Sequence, residues 1–236
     1  MCELSSNLPM DVDREFIEYV RRVVIDWYRV YGDRDLPWRK TSDPWSVLVA
    51  TILLRVTARS RVVRAYSDLL AKYPNPSSLA YARIGDVEEL IKPIGLHKVR
   101  AKQLVELAKA LIEKYNGQIP CSRSELIKLP GIGYYAASVI LLRVCRQPEP
   151  ILDTNTVRVY ERIFNYKLTK HNPYRDKGLM SILEELIPRD PEEAYEFNLG
   201  VMDLGFKICK WKPRCMECPL RSRCKYYSVY ARNQDY

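Results

Sequence analysis

Apolar residues recur at i, i+3 and i+4 along almost the whole chain, and no segment alternates convincingly in the two-residue period of a half-buried strand. An all-α fold follows. Phe16, Val20, Val23, Val24 and Trp27 mark a first helix that stops at Gly32. Asp43 and Pro44 supply a cap and a first helical residue that needs no N–H bond, so the run Trp45–Leu54 reads as a mostly buried helix. The same spacing places helices at 62–73 and 99–115, the second ending at Gly117, and further helices at 134–146, 155–165, 174–187 and 191–204. Ser122-Arg123-Ser124-Glu125 has the pattern of a capping box, in which each end satisfies the other's spare backbone donor. Pro148 and Pro150 interrupt the helix beginning near Tyr134 and mark a boundary between structural halves.

Charge and cysteines narrow the class of partner. Lys and Arg number 38 against 29 Asp and Glu, leaving +9 and pointing to a polyanion. A composition of 28% charged and 47% hydrophobic residues excludes a disordered chain. No apolar run reaches ~18 residues, so no membrane span is expected. The start, Met1-Cys2-Glu3-Leu4-Ser5-Ser6-Asn7, lacks a basic n-region and an apolar h-region, so a cytoplasmic, nucleoid-associated protein is expected. Seven cysteines make a disulfide framework a poor explanation in a reducing compartment. Four of them, Cys209, Cys215, Cys218 and Cys224, follow a C-x5-C-x2-C-x5-C pattern that suits a metal. Cys2, Cys121 and Cys145 are left as free thiols without a role. Few Gln and His among many Tyr, Arg and Lys hint at a thermophile.

One turn is repeated. Leu90-Ile91-Lys92-Pro93-Ile94-Gly95 echoes Leu126-Ile127-Lys128-Leu129-Pro130-Gly131-Ile132-Gly133, and both lie between helices where glycine permits a tight reversal. A hairpin of this kind exposes the first-turn N–H groups of its second helix, which can hold a phosphate irrespective of base sequence. By itself a Pro-Gly-x-Gly turn is more often just an ordinary helix reversal.

Leu129-Pro130-Gly131-Ile132-Gly133, with Asp153 following 20 positions after Gly133, resembles the helix-hairpin-helix DNA glycosylases of the endonuclease III superfamily. The likeness continues through Ile151-Leu152-Asp153-Thr154-Asn155-Thr156-Val157-Arg158-Val159 and Asn198-Leu199-Gly200-Val201-Met202-Asp203-Leu204-Gly205, and covers about Leu36 to Tyr227. It implies two helical subdomains with the DNA cleft between them. Residues 37–147 would form a six-helix barrel carrying the hairpin; residues 1–36 and 148–236 would form a cluster-binding subdomain.

Within that resemblance Asp153 aligns with the family's essential aspartate. Cleavage of a bond between a sugar C1′ and a base passes through an oxocarbenium-like state, which a fixed carboxylate can stabilise, or whose attacking water it can activate. The start of the helix behind Asp153 favours its ionised form. The plain alternative is an N-cap aspartate. Relatives that also cut the strand carry a lysine two positions after the last hairpin glycine, whose amine forms a Schiff base at C1′. This chain has Tyr135 there, which implies a monofunctional glycosylase and resembles the archaeal thymine-mismatch enzymes. Adenine-mismatch relatives carry a glutamate at the position of Thr51, and adenine leaves poorly without protonation. Thymine or uracil departs as an anion and depends less on a strong acid. The thymine-mismatch relatives also tend to have Glu there, so Thr51 departs from both patterns.

The family's [4Fe–4S] cluster uses C-x6-C-x2-C-x5-C, so Cys209, Cys215, Cys218 and Cys224 fit a cluster loop one residue shorter in its first gap, with zinc as the alternative. Lys210, Lys212, Arg214, Arg221, Arg223 and Lys225 interleave with them and would serve phosphate contact. By family position Leu54-Arg55-Val56-Thr57 approaches the minor groove, although Leu54 and Val56 also suit a core. Asn155, Gly131 and Gly133 complete the expected DNA-binding set, and Gly95-Leu96-His97-Lys98 is a second candidate edge. The expected protein is a monomer that flips a mismatched thymine or uracil out of double-stranded DNA, opposite guanine, and hydrolyses it off. An adenine-mismatch glycosylase and a non-catalytic DNA-binding protein are the other readings.

Overall fold

The computed structural model describes residues 13–55 and 57–231. In chain order its α-helices are α1 (Arg14–Tyr31), α2 (Pro37–Lys40), α3 (Pro44–Leu53), α4 (Arg59–Lys72), α5 (Pro76–Ala80), α6 (Ile84–Ile91), α7 (His97–Tyr115), α8 (Arg123–Leu126), α9 (Tyr134–Arg143), α10 (Thr154–Phe164), α11 (Lys177–Leu186) and α12 (Pro191–Lys207). Among the described residues there is no strand, and no helix is long and apolar enough to cross a membrane. The helices fall into two compact units, one of residues 34–147 and one made from the N-terminal segment to Asp33 together with the chain from Pro148 onward.

In the 34–147 unit, α5 and α6 pack on α7, and α3 packs on α9. Leu48, Ile52, Leu53, Leu69, Leu79, Leu104, Leu107, Leu111 and Ile140 form its fully buried centre. Helix α3 starts as its sequence demands: Asp43 Oδ2 accepts from Ser46 N at 2.8 Å, and Pro44 follows. Helix α8 departs from expectation. Ser122 is its N-cap, but Ser122 Oγ pairs with Ser124 Oγ at 2.9 Å and no side-chain capping bond forms. The expected capping box is therefore absent, and α8 is a single turn held from the far side. Arg123 supplies that hold, donating from Nη2 to Ser138 Oγ of α9 at 3.1 Å.

A second correction concerns the cysteines. Cys121 and Cys145 are joined by a disulfide across a separation of 24 residues, their Cα atoms 5.6 Å apart. Spacing in sequence could not foretell this pairing, because it depends on α8 and α9 folding back on each other. Cys2 lies outside the described residues. Closing a loop of this length should contribute roughly 3–4 kcal/mol, mainly by restricting the unfolded chain. Cys145→Ser is accordingly expected to lower Tm by roughly 10 °C. Finding all seven cysteines free in denatured, unreduced protein would contradict the bond.

In the other unit, α12 packs on α1 and on α10, while α11 packs on α1. Gly200 makes the first contact possible, since a Cβ there would lie 2.7 Å from Val24 Cγ1 and 3.0 Å from Val24 O. Asp176 organises the segment between α10 and α11. It is fully buried and accepts from Tyr166 Oη (2.5 Å), Thr169 N (2.7 Å), Thr169 Oγ1 (2.9 Å) and Leu179 N (2.9 Å). Burial alone would raise its carboxyl pKa, but these donors win and hold it well below the usual carboxylate range. Tyr166, desolvated and bonded to Asp176, is pushed up to about 12.

Candidate functional site

Asp153 caps α10 reciprocally. Its Oδ1 accepts from Asn155 N (2.9 Å) and Thr156 N (2.8 Å), while its own N–H donates to Thr156 Oγ1 (2.8 Å). Oδ2 accepts from Asn155 Nδ2 at 3.1 Å. A carboxylate has about four acceptor directions, so these three donors fix the group rigidly and leave one direction open. The chain before it is pinned as well. Leu152 N donates to Tyr174 Oη at 2.9 Å, and Ile151 N donates to Oδ1 of the buried Asn198 at 2.7 Å.

A continuous chain of bonds runs from Asp153 toward the cysteines. Asn155 Oδ1 accepts from Arg158 Nη2 at 2.9 Å, and Arg158 reaches on to Gly205 O (Nη2, 2.8 Å) and Cys209 O (Nε, 2.7 Å). Gly205 is required by this contact, because a Cβ there would meet Asn155 O at 2.8 Å and Asn155 Cβ at 2.9 Å. Gly205→Ala should force α12 away from the start of α10, costing about 1–3 kcal/mol of stability and lowering turnover. Unchanged Tm and rate in that variant would show the contact to be slack.

Cys209, Cys215, Cys218 and Cys224 line one cavity whose remaining wall includes Val159, Ile163, Leu204, Ile208 and Leu220. Arg162 Nη1 donates to Cys209 Sγ at 3.3 Å and to Lys210 O at 2.6 Å, and its guanidinium lies 4.8 Å from the centre of the Tyr226 ring. Burial, reinforced by the neighbouring thiols, pushes the Cys218 thiol up to about 12 and raises that of Cys224. Buried thiols in this state ionise only when a cationic group compensates them, so the donor set suits a metal centre. Among the described residues no three His, Cys, Asp or Glu side chains are gathered as a single metal ion needs. The thiols instead ring a shared space.

Apart from the basic residues interleaved with the cysteines, the remaining sequence-derived candidates lie in the 34–147 unit. The hairpin between α8 and α9 is anchored by the buried Leu129 and Ile132, and Gly131 turns it at φ +77°. Gly133 is the N-cap of α9, no side chain caps that end, and a Cβ on Gly133 would meet nothing within 4 Å. Tyr135 is half-buried in the first turn of α9. Thr51 is 3% exposed and its hydroxyl proton is committed to Leu48 O at 2.7 Å. Leu54 is the half-buried C-cap of α3, Arg55 is exposed, and Val56 lies outside the described residues. Sequence reasoning missed Gln103, whose Oε1 accepts from Arg55 Nη1 at 3.3 Å and whose side chain lies 3.4 Å from where a Gly131 Cβ would sit. It gave no role to Asn198, although that residue opens a motif quoted above, and it missed Tyr174, for which no local pattern gives a signal.

Comparison with known proteins accords with this geometry. Residues 49–188 match the model of the HhH-GPD superfamily of base excision DNA repair proteins. The chain is 50% identical to a thymine-DNA glycosylase of Aeropyrum pernix over 92% of its own length and 98% of that protein's. It is 48% identical to a thymine/uracil-DNA glycosylase of Pyrobaculum aerophilum, over 96% and 97% respectively. Among solved structures, a thermostable thymine-DNA glycosylase superposes with a TM-score of 0.82 at 32% identity, covering 90% of this chain and 96% of that one. On family match, sequence identity and fold together, the chain belongs to the HhH-GPD superfamily of base excision DNA repair proteins.

Proposed function

We propose that the protein is a monofunctional DNA glycosylase that hydrolyses thymine or uracil from a mismatch opposite guanine in double-stranded DNA. The observation that carries this reading is Asp153: a carboxylate fixed by three donors with one acceptor direction open. The C1′–N bond breaks with its electron pair going to the base, which leaves as an anion and takes a proton from solvent. Asp153 stabilises the sugar cation and accepts a proton from the water that adds to C1′. Tyr135 cannot form an imine, so the product is an abasic site in an unbroken strand. The committed hydroxyl of Thr51 supplies no acid for a leaving adenine, which favours a pyrimidine.

DNA contact is assigned to the hairpin glycines Gly131 and Gly133, to Leu54, Arg55 and Val56, and to the basic residues interleaved with the cysteines. Cys209, Cys215, Cys218 and Cys224 would hold a [4Fe–4S] cluster, a group large enough for four thiols that ring a space. When bound, it supplies a rigid frame for the loop rather than redox chemistry, since hydrolysis transfers no electrons. Asn155 and Arg158 connect that frame to Asp153.

The test is to incubate purified protein with a duplex carrying one U·G pair, then analyse the strand before and after hot alkali. The expected result is free uracil with the strand intact until alkali is added. Strand scission without alkali, accompanied by borohydride trapping of protein on DNA, would contradict the monofunctional assignment.

A further inference from the structure

Arg100 lies in the first turn of α7, is 3% exposed, and among the described residues has no carboxylate paired with it. Its guanidinium serves four neutral acceptors instead. Nη1 donates to Ile94 O at 3.0 Å and Gly95 O at 2.7 Å; Nη2 donates to Thr57 Oγ1 at 2.9 Å and to Arg55 O. The Thr57 hydroxyl lies 3.2 Å from Ile94 O, closing the group on itself.

These acceptors belong to two separate segments, the one leaving α3 and the turn entering α7. The turn bends through two successive positive-φ residues, Gly95 at +72° and Leu96 at +49°. The second carries a side chain, and a residue of that kind in the left-handed region costs about 1–2 kcal/mol. Something must therefore over-determine this backbone. A planar fork of five donors can reach both segments at once, whereas an ammonium group has only three donors around one point. One helical turn further along α7, Gln103 joins Arg55 to the hairpin at Gly131. On the outer side of the same turn Leu96 and Val99 are 63% and 57% exposed, beside the exposed Lys98. Apolar side chains beside a cation suit contact with a duplex edge.

We propose that Arg100 is a positioning residue that locks Arg55, Thr57 and the 94–96 turn into one DNA-facing edge. Through that edge it sets how tightly mismatched duplex is held, without touching DNA itself. This rests on the assignment of Leu54, Arg55 and Val56 to DNA contact made above.

The experiment compares wild type with Arg100→Lys, which keeps the charge, and Arg100→Gln, which removes it, using a U·G duplex. Three quantities are read: Kd as a function of salt, the single-turnover rate at saturating protein, and Tm. In both variants Kd is expected to rise by roughly tenfold, as when a fixed contact is lost. The saturating rate should stay within about threefold, because the base and its water are handled elsewhere. The slope of log Kd against log salt should be unchanged, since no phosphate contact is removed; a direct contact would cost roughly 0.9 of slope. A lowered Tm with unaltered Kd would overturn the proposal in favour of a purely structural staple. A reduced salt slope would overturn it in favour of direct contact. Wild type that binds no mismatched duplex would instead defeat the functional assignment, so the two failures are distinguishable.

Discussion

Asp153→Asn is expected to lower base release by about 10³-fold while leaving the fold essentially unchanged. The substitution is mild in structural terms. Asn is as good an N-cap as Asp, and its amide oxygen can still accept from Asn155 N and Thr156 N, the two bonds Oδ1 now makes. What disappears is the negative charge, the proton acceptor and the Oδ2 acceptor of Asn155 Nδ2. Single-turnover rates and thermal melts of the two proteins separate these contributions. A drop in rate with Tm kept within a few degrees assigns Asp153 to chemistry. Full activity with a lowered Tm would make it no more than a helix cap.

The other large effect is expected at the cysteines. Cys218→Ser should abolish iron binding and lower Tm by more than about 10 °C, because a structural metal contributes folding energy directly. The reasoning is electrostatic. Burial and three neighbouring thiols hold Cys218 at about 12, so the apo loop is a poor thiolate and gains most from a compensating cation. Arg162, which donates to Cys209 Sγ and to the Lys210 and Trp211 carbonyls, would then have an anionic centre to face. Iron and sulfide analysis of wild type and variant measures this. Wild type carrying zinc and no iron, or a variant with unchanged Tm, would contradict the cluster assignment.

Much of the helical framework was legible because caps and periodicity are local. Asp43-Pro44 begins α3, Gly32 ends α1 as its C-cap, and the 191–204 pattern became α12, extended to Lys207. Two boundaries slipped: 134–146 shortened to Tyr134–Arg143, and the start of 174–187 became a single 3₁₀ turn before α11, whose first turn is capped by Asp176. The Cys121–Cys145 bond was illegible because it depends on which partner the folded chain brings near, whereas the capping box at Ser122 is displaced by a local pairing with Ser124.

The site divides along the same line. Asp153 and the four cysteines stand out as motifs, since chemistry restricts residue type at fixed spacing. The residues that hold them do not. Arg158 lies inside a motif, yet its bonds to Gly205 and Cys209 span 47 and 51 positions. Asn198 reaches Ile151 across 47, and Arg100 reaches Arg55 across 45.

The central claim is the identity of the excised base, and base release from four duplexes that differ only at one pair tests it most directly. The pairs are T·G, U·G, A·G and A opposite oxidised guanine, with the abasic product revealed by alkali. Release from T·G or U·G at rates at least about 10²-fold above either adenine duplex is the expected result. Release confined to the adenine strands would contradict the account, and with it the weight placed on Thr51 and Tyr135.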